Sequence, residues 1–337
     1  FDIVDAVQAV LQGENVERYG NIDAPIPEVD RVLTTPPHFA YLKIAEGCDN
    51  RCSYCVIPSL RGHYRSRKME DLLEEARRLA ADGVQELIVV AQDTSRYGVD
   101  LYGEKRLPEL VRRLCEIEGF RWIRLHYLYP DEITEELVEV IATEPKVLHY
   151  LDLPIQHCND QILRRMNRRG TKAELEGLFT GLRKRIPDLV VRTSLITGLP
   201  GEGEAEFEEL CQFLRRHKLE RVGAFAFCPE EGTPAAAMDC PDSEIAQRRA
   251  ETLMELQSRI MDDFCERQIG RVLETVCEGY DPETELYFGR TYAESPDIDG
   301  RVLFDAPQGA VVGRFYKVQM EQAVDGELIG RVVEEEA

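Results

Sequence analysis

Apolar runs of strand length alternate with amphipathic helical segments between residues 39 and 265. The strand-like runs are 39–44, 86–91, 122–128, 149–153, 189–196 and 222–227. Strand and helix repeated in this order predict a parallel sheet with right-handed crossovers. Six units are too few to close an eight-stranded barrel. The pattern therefore predicts an α/β fold with a partial (β/α)6 barrel, whose chemistry collects at the carboxyl ends of the strands.

The pattern changes after Gly270. Short runs with polar–apolar alternation follow, separated by turns containing Gly, Pro and Asp, at 272–278, 287–291, 302–304, 315–320 and 328–333. They predict a small antiparallel β-barrel. A long helix with one apolar stripe, predicted over 243–268, joins this barrel to the parallel sheet.

The N-terminal segment has apolar residues at positions 1, 3, 4, 7, 10 and 11, which is helical spacing. Residues 20–37 are rich in Pro and acidic side chains and predict a linker. The helix is either a short element of its own or the tail of a larger domain. We divide the chain into residues 1–37, 38–268 and 269–337.

The net charge and the cysteine content argue against some classes of protein. The formal net charge of -22 argues against broad electrostatic binding of nucleic acid. Ten cysteines, three of them crowded, do not resemble a secreted disulfide framework and indicate a reducing compartment. Neither an apolar run of membrane-spanning length nor a signal peptide is apparent in the sequence. We predict a cytoplasmic protein with no membrane partner.

Three cysteines, Cys48, Cys52 and Cys55, lie on the loop after the first predicted strand. Thiolates are soft ligands that bind iron–sulfur clusters or zinc. A structural zinc site takes four ligands, and His63 could complete a Cys3His set. A disulfide within this group would pair two of the cysteines and leave the third unpaired. Three thiolates can hold a cubane cluster with one iron open, and the spacing favours that interpretation.

The same loop resembles the radical S-adenosylmethionine (SAM) superfamily, in which an aromatic residue, here Tyr54, precedes the last of three cysteines. The longer run 45–62 and Arg-Ser-Arg at 65–67 are similar to the methylthiotransferases of that superfamily. The resemblance implies that the three cysteines hold a [4Fe-4S] cluster whose open iron binds the methionine part of SAM. It also implies that an electron from the cluster cleaves SAM to a 5′-deoxyadenosyl radical.

Methylthiotransferases of this family carry a second [4Fe-4S] cluster on three further cysteines in an N-terminal domain. No such cysteines precede Cys48 in this sequence, so the resemblance favours residues 1–37 as the tail of that domain. It implies that one SAM donates a methyl group to sulfur at the N-terminal cluster. A second SAM supplies the radical.

Polar groups and glycines follow the predicted strands, where the resemblance places SAM. Gln92, after the second strand, is assigned to the methionine end of SAM. The segment of the fifth strand is assigned to ribose and adenine, and its glycine would let the backbone approach a ligand closely. Phe227 ends the sixth strand and is assigned to adenine. The predicted SAM-binding residues are therefore Tyr54, Gln92, Arg192, Ser194, Gly198 and Phe227.

Two segments resemble the branch of the family that modifies a ribosomal protein: Pro-Ile-Gln-His at 154–157 and Glu-Ser-Pro-Asp-Ile-Asp-Gly at 294–300. His157 suits either a structural or a catalytic role. Residues 270–337 match the position and size of the family's TRAM domain and carry six Lys or Arg against fifteen Asp or Glu. An RNA-binding barrel would have the opposite sign. Asp297 and Asp299 are predicted candidates for contact with a basic partner.

The resemblance thus implies an enzyme that adds a methylthio group to the β-carbon of an aspartate in ribosomal protein S-twelve of the small subunit, with an electron-donor protein as a second partner. A tRNA methylthiotransferase is the nearest alternative, and the acidic final segment makes tRNA the less favoured substrate. A non-catalytic zinc or iron–sulfur binding module is the alternative of another class.

Overall fold

The computed structural model describes residues 3–28 and 31–335. Its first eight strands are β1 (Phe39–Lys43), β2 (Ala45–Glu46), β3 (Arg65–Ser66), β4 (Glu86–Val90), β5 (Trp122–Leu125), β6 (Val147–Asp152), β7 (Val190–Thr197) and β8 (Arg221–Ala226). Six of them form one sheet in the order β1-β4-β5-β6-β7-β8, and all neighbours run parallel. The predicted partial barrel is confirmed.

The α-helices of the described residues are α1 (Ile3–Leu11), α2 (Ile57–Arg61), α3 (Met69–Ala81), α4 (Val99–Tyr102), α5 (Leu107–Cys115), α6 (Glu135–Thr143), α7 (Asp160–Arg165), α8 (Lys172–Arg185), α9 (Glu204–His217) and α10 (Ser243–Glu266). The longer helices between the strands share one hydrophobic core with the sheet, whereas α1 buries no residue. In β5 every residue is buried, and in β4 all but the last. Such continuous burial explains why these strands appear in the sequence as unbroken apolar runs.

The C-terminal strands form a closed barrel in the order β10-β11-β13-β12-β9. They are β9 (Val272–Asp281), β10 (Leu286–Arg290), β11 (Val302–Asp305), β12 (Phe315–Val324) and β13 (Glu327–Glu335). Four neighbouring pairs are antiparallel as predicted, but β11 and β13 are parallel. A closed ring of five strands cannot alternate direction at every step, so one parallel pair is unavoidable.

The small barrel packs against the amino ends of the parallel strands. Trp122, the first residue of β5, meets Phe315 of β12 edge to face with ring centroids 4.7 Å apart. One cluster of buried residues combines Leu148 and Val190 of the sheet with Phe264 of α10 and the interior of the small barrel. The two units therefore share a hydrophobic core, and the carboxyl ends of the parallel strands remain on the opposite side.

A buried ion triad ties the units together. Glu86, at the start of β4, accepts hydrogen bonds from Arg124 Nε at 2.8 Å and from Arg290 Nη2 at 2.7 Å. All three side chains are at most 1% exposed. Burial opposes ionisation of Glu86, but the two guanidiniums outweigh it and lower the pKa of this carboxyl to about 2. The triad is therefore charged at neutral pH.

The connection between β10 and β11, residues 291–301, enters the amino end of the parallel barrel and is termed the plug loop. Asp299 Oδ2 accepts a hydrogen bond from Tyr150 Oη at 2.5 Å, and Asp299 Oδ1 lies 3.6 Å from Arg192 Nε. Glu294 accepts a hydrogen bond from Arg221. The prediction that Asp299 faces a partner is therefore wrong, because Asp299 neutralises an arginine of the chain's own barrel. Asp297 is exposed.

The N-terminal helix α1 has no buried residue, and Phe1, the first residue of its predicted span, lies outside the described residues. Downstream, Glu28 pairs with Arg67, and Asp23 Oδ1 accepts a hydrogen bond from the His63 backbone amide at 2.7 Å. The segment before β1 thus rests against the region that follows the cysteine loop. In the described ranges no helix combines the length and apolar character needed to cross a bilayer.

Candidate active site

The loop that carries the three cysteines lies at the carboxyl side of the parallel sheet and is held from two sides. The Cys48 backbone amide donates to the Gly62 carbonyl at 3.2 Å, and the Ser53 amide donates to the Met166 carbonyl at 2.9 Å. Gly47 has φ 84°, and a β-carbon there would collide with the His63 carbonyl. A glycine is therefore needed where the chain turns into the loop.

The three thiols line a single cavity of about 420 Å³. Cys52 is buried, and Cys48 and Cys55 are half-buried. Burial raises the pKa of the Cys48 and Cys55 thiols, and Cys52 beside them raises it further. Binding to iron deprotonates a thiol outright, and a cavity beside three thiols has room for a ligand. This donor set fits a cubane cluster, which the three thiolates would hold with one iron left without a protein ligand.

A zinc site would need a fourth ligand beside the three thiols, and His63 does not supply it. His63 is 68% exposed, and its Nδ1 lies 3.0 Å from Asp49 Oδ1. Within residues 3–28 and 31–335, no three His, Cys, Asp or Glu side chains converge closely enough to hold one ion. The thiolates of a cubane each bind a different iron and need no such convergence.

Gln92 lines the same cavity, directly after β4. Its Nε2 donates to Glu46 Oε1 at 3.2 Å, which fixes the orientation of the amide. Its Oε1 is buried and has no hydrogen-bond partner in the protein. A buried acceptor without a partner costs free energy unless a ligand satisfies it. The geometry therefore provides an acceptor for a positively charged donor, such as the ammonium group of SAM.

Asp93 is the buried anchor of the site, and the sequence analysis did not single it out. Its Oδ2 accepts from Asn50 Nδ2 at 2.7 Å, and Asn50 in turn donates to Cys48 Sγ at 3.5 Å. Its Oδ1 accepts from Ser95 Oγ at 2.5 Å, and Ser95 accepts from the Tyr129 amide at 3.1 Å. One carboxylate thus positions both the cysteine loop and the loop after β5.

Other cavity residues come from loops that the sequence pattern could not rank. Tyr127, Tyr129, Gln156 and Arg168 all face the cavity. Tyr127 and Gln156 have left-handed backbone conformations, with φ 56° and 67°, as does Arg51 with φ 50°. Such strain in residues other than glycine is costly and concentrates at functional sites. Backbone angles of this kind leave no mark in a sequence, so these residues were missed.

Tyr54 and Phe227 belong to one apolar cluster beside the cavity. Phe227 is buried in a small apolar cluster with Ile162, Met166 and Leu199, and Tyr54 packs against that cluster. Burial raises the pKa of the Tyr54 hydroxyl well above its usual range, so the side chain stays neutral. Tyr54 lines the cavity itself, whereas Phe227 does not.

Arg192 and Ser194 lie on β7 but do not line the cavity. Arg192 Nη1 donates to Asp152 Oδ1 at 2.8 Å, and the plug loop occupies its other side. The Ser194 carbonyl accepts from the Gln156 amide at 2.9 Å and so supports a cavity residue. A direct contact of either side chain with SAM stays a prediction.

His157 and Gly198 meet at Glu202. Glu202 Oε1 accepts from the Gly198 amide at 2.9 Å and from Arg249 Nη1 at 2.8 Å, while His157 Nε2 lies 3.5 Å from Glu202 Oε2. His157 is fully buried, and its Nδ1 accepts from the Asn159 amide at 3.0 Å. Nε2 of the histidine and Oε2 of Glu202 form no hydrogen bond, but both are buried where the loop after β6 meets the loop after β7, and this full burial favours the structural role.

Gly198 is expected to be intolerant of any side chain. It has φ 75°, and a β-carbon would lie well inside van der Waals contact with Ala246 Cβ on α10. Gly198→Ala should lower the free energy of unfolding by about 2–5 kcal/mol, from the left-handed backbone and the overpacking together. Urea denaturation measures it.

Gly103→Ala is the matched control, because Gly103 has φ 77° and open space around the added carbon. This control should lower the free energy of unfolding only by the cost of a left-handed backbone at alanine, about 1–2 kcal/mol. Equal losses in the two variants would show that packing against α10 contributes nothing.

Sequence comparison identifies two profiles in the chain. The profile of the radical SAM superfamily matches residues 42–214, and that of the TRAM domain matches residues 269–333. Proteins described as ribosomal protein uS12 (S-twelve) methylthiotransferase RimO are similar along nearly the whole chain. The one from Lachnoclostridium phytofermentans is 47% identical over 97% of this chain and 75% of its own length. The one from Acetivibrio thermocellus is 48% identical over 91% and 68%.

Solved structures share the fold at low identity. Coproporphyrinogen III oxidase (HemN) from Escherichia coli, a radical SAM enzyme, superposes with a TM-score of 0.50 at 17% identity, over 67% of this chain and 54% of its own. The radical SAM methyltransferase TsrM from Kitasatospora setae gives a TM-score of 0.50 at 19% identity, over 58% and 38%. These likenesses support the fold of the parallel barrel.

Proposed function

The chain belongs to the RimO family of ribosomal protein uS12 methylthiotransferases, within the radical SAM superfamily, and from that premise we propose that it adds a methylthio group to the β-carbon of one aspartate of uS12. One observation carries the proposal: three free thiols and the partnerless Gln92 Oε1 line a single cavity at the carboxyl ends of the parallel strands. A cluster and the methionine end of SAM need those two features side by side.

Cys48, Cys52 and Cys55 would hold the [4Fe-4S] cluster, and Gln92 would accept a hydrogen bond from the amino group of SAM. When bound, the cluster supplies the electron that cleaves SAM and releases the radical that abstracts hydrogen from the substrate. Tyr54, the other lining residue predicted from the sequence, would close one side of the SAM site. Arg192, Ser194, Gly198 and Phe227 are proposed to shape that site from behind the cavity wall.

The chain's own contribution is placement and exclusion of water. Asp93 fixes the cysteine loop through Asn50 and fixes Tyr129 through Ser95. The cavity wall is mostly apolar and aromatic. A pre-organised cavity with a largely apolar wall limits side reactions of a radical with solvent. The protein thereby directs chemistry that the cofactors supply.

Substrate choice rests on charge. Exposed acidic residues occupy the turns β9–β10 and β12–β13, namely Glu283, Glu285 and Asp325. Arg301 contacts Asp281 at 3.1 Å and Glu327 at 3.7 Å, so both turns lie at one end of the small barrel. This acidic end complements a basic ribosomal protein and repels the phosphates of tRNA. We propose that it attracts uS12 electrostatically from the side of the small barrel, away from the cavity in which the aspartate reacts.

The test is an anaerobic assay of the reduced, reconstituted enzyme with SAM and either uS12 or tRNA. We expect a mass increase of one methylthio group on an aspartate-containing peptide of uS12 and none on tRNA. Raising the salt should weaken uS12 binding because ions screen the acidic end. Modification of tRNA in place of uS12 would overturn the assignment.

We also propose an electron donor and a cellular compartment for the protein. The electron comes from a separate donor protein, because one electron must enter the cluster before SAM can be cleaved. The protein works in the cytoplasm, which suits its ten free cysteines because a reducing compartment keeps thiols reduced.

Gln92→Ala should weaken SAM binding about 10- to 150-fold while leaving the iron content unchanged. The change removes one hydrogen bond to a charged donor, worth roughly 1.5–3 kcal/mol. Equilibrium binding of SAM to the reconstituted protein measures it. The control is Gln85→Ala, seven residues earlier and beyond the other end of β4, where Gln85 Nε2 donates to the Gly313 carbonyl at 3.0 Å. Unchanged SAM affinity in Gln92→Ala would remove Gln92 from the binding site.

A further inference from the structure

Arg168 is a buried cation without an acidic partner. Its side chain is 7% exposed, yet no carboxylate in the described ranges forms an ion pair with it. The adjacent Arg169 is 47% exposed and pairs with both Asp131 and Glu132. Burying a charge is expensive unless a counter-charge compensates it. The buried arginine, and not the exposed one, is left without compensation.

The groups around the Arg168 guanidinium point to the cysteine loop. Nη1 lies 3.9 Å from Cys52 Sγ, and Nη2 donates to the Pro154 carbonyl. The guanidinium stacks over the Tyr129 ring at 4.3 Å, and Tyr129 Oη lies 3.0 Å from the same Cys52 Sγ. A cation and a hydroxyl donor therefore converge on the sulfur of one cluster ligand.

We propose that Arg168 is the resident counter-charge of the cluster and, with the Tyr129 hydroxyl, makes its one-electron reduction more favourable. Reduction adds one negative charge to the cluster, with the electron supplied by the donor protein and no bond made or broken. A fixed positive charge and a hydrogen bond at a ligand sulfur both stabilise the reduced form more than the oxidised form. Arg168 is thus a positioning residue that acts through Cys52. The inference rests on the proposed function because it requires the cubane.

Two other roles for Arg168 make different predictions. As a purely structural residue, it would support the fold whether or not the cluster is present. As a clamp for the carboxylate of SAM, it would change SAM affinity and leave the cluster potential alone. Only a counter-charge changes the potential in the absence of SAM.

The experiment is a potentiometric titration of the reconstituted full chain without SAM, followed by electron paramagnetic resonance. Arg168→Met keeps the volume and removes the charge, and should lower the equilibrium constant for reduction about tenfold, a shift of about 59 mV to more negative potential. Arg168→Lys should restore most of the difference, and Tyr129→Phe should produce a smaller shift of the same sign. Arg164→Met, at an exposed arginine on α7, is the matched control and should leave the potential unchanged.

Thermal unfolding of the cluster-free protein completes the test. Arg168→Met should be at least as stable as the parent there, because it removes an uncompensated buried charge. A marked loss of cluster-free stability would make the residue structural and overturn the inference. An unchanged potential in both Arg168→Met and Tyr129→Phe, with or without loss of SAM affinity, would overturn it as well.

If Arg168→Met takes up no iron, Arg168→Lys and Tyr129→Phe carry the measurement. These readouts involve neither uS12 nor methylthio transfer, so a wrong substrate assignment would leave them intact.

Discussion

Replacing Cys52 with alanine is expected to yield a folded chain that holds no cluster and cleaves no SAM. The reconstituted parent should contain about four irons per chain at this site, and two remaining thiolates cannot retain a cubane. The fold should survive because the loop is held by backbone hydrogen bonds to Gly62 and Met166 that do not involve the thiol. Iron analysis, the visible absorption of the cluster and the formation of 5′-deoxyadenosine measure the effect. Cys48→Ala and Cys55→Ala should behave alike.

Cys240→Ala is the control, because Cys240 is exposed on the loop before α10 and far from the cavity lining in sequence. It should keep full iron content and full SAM cleavage. Stoichiometric zinc in the parent, or iron retained by all three loop variants, would mean that the thiols serve another metal site.

Replacing Glu86 with glutamine is expected to lower the free energy of unfolding by several kcal/mol. The substitution leaves the buried Arg124 without a carboxylate partner and leaves Arg290 with only Glu278, which is 2.8 Å from its Nε. Breaking a buried ion network in this way costs about 3–5 kcal/mol. Urea denaturation of the cluster-free protein measures it. The exposed pair Glu136–Arg112 provides the control, with side chains 59% and 41% exposed. Glu136→Gln should cost less than about 1 kcal/mol.

The pH dependence of this difference has a definite sign. The folded-state pKa of Glu86 is lowered to about 2, so its contribution is fully present above the ordinary carboxyl pKa, near 4.3. It is lost as the pH falls through the folded value. The difference in the free energy of unfolding between the parent and Glu86→Gln should therefore be constant from pH 5 to 8. It should shrink between about pH 4 and 2. A gap that persists at pH 2 would contradict the ionised triad.

The alternation of strands and helices was readable in the sequence because parallel strands covered on both faces must be apolar throughout. The predicted runs at 86–91 and 189–196 coincide with β4 and β7 to within one residue at each end. The small barrel was predicted from its short alternating runs, but not its parallel pair. That pair follows from the closure of a five-stranded ring, which local pattern does not encode.

The candidate site likewise contains residues that the sequence predicted and residues that only the fold reveals. The cysteine trio and Gln92 were found because their chemistry is local: a spacing of thiols and a polar residue at a strand end. Arg168 was hidden in the basic run 164–169, which by itself predicts a solvated surface. Only the fold distinguishes it, because one arginine of the run turns inward to Cys52 while Arg164, Arg165 and Arg169 remain exposed. Arg192 and Asp299 were assigned to outside partners, and the structure pairs them with each other.

The small barrel can complete the buried ion network only after nearly the whole chain has been synthesised. Arg290 follows Glu86 by 204 positions, so a chain emerging from the ribosome presents the carboxylate and Arg124 long before the second guanidinium exists. The parallel barrel can collapse early, since domains tend to fold as they are synthesised, but its amino end stays open until the last strands arrive. A chain that ends between residues 226 and 290 would therefore keep the Glu86–Arg124 pair but would leave apolar residues of the sheet, such as Leu148 and Val190, without their covering barrel.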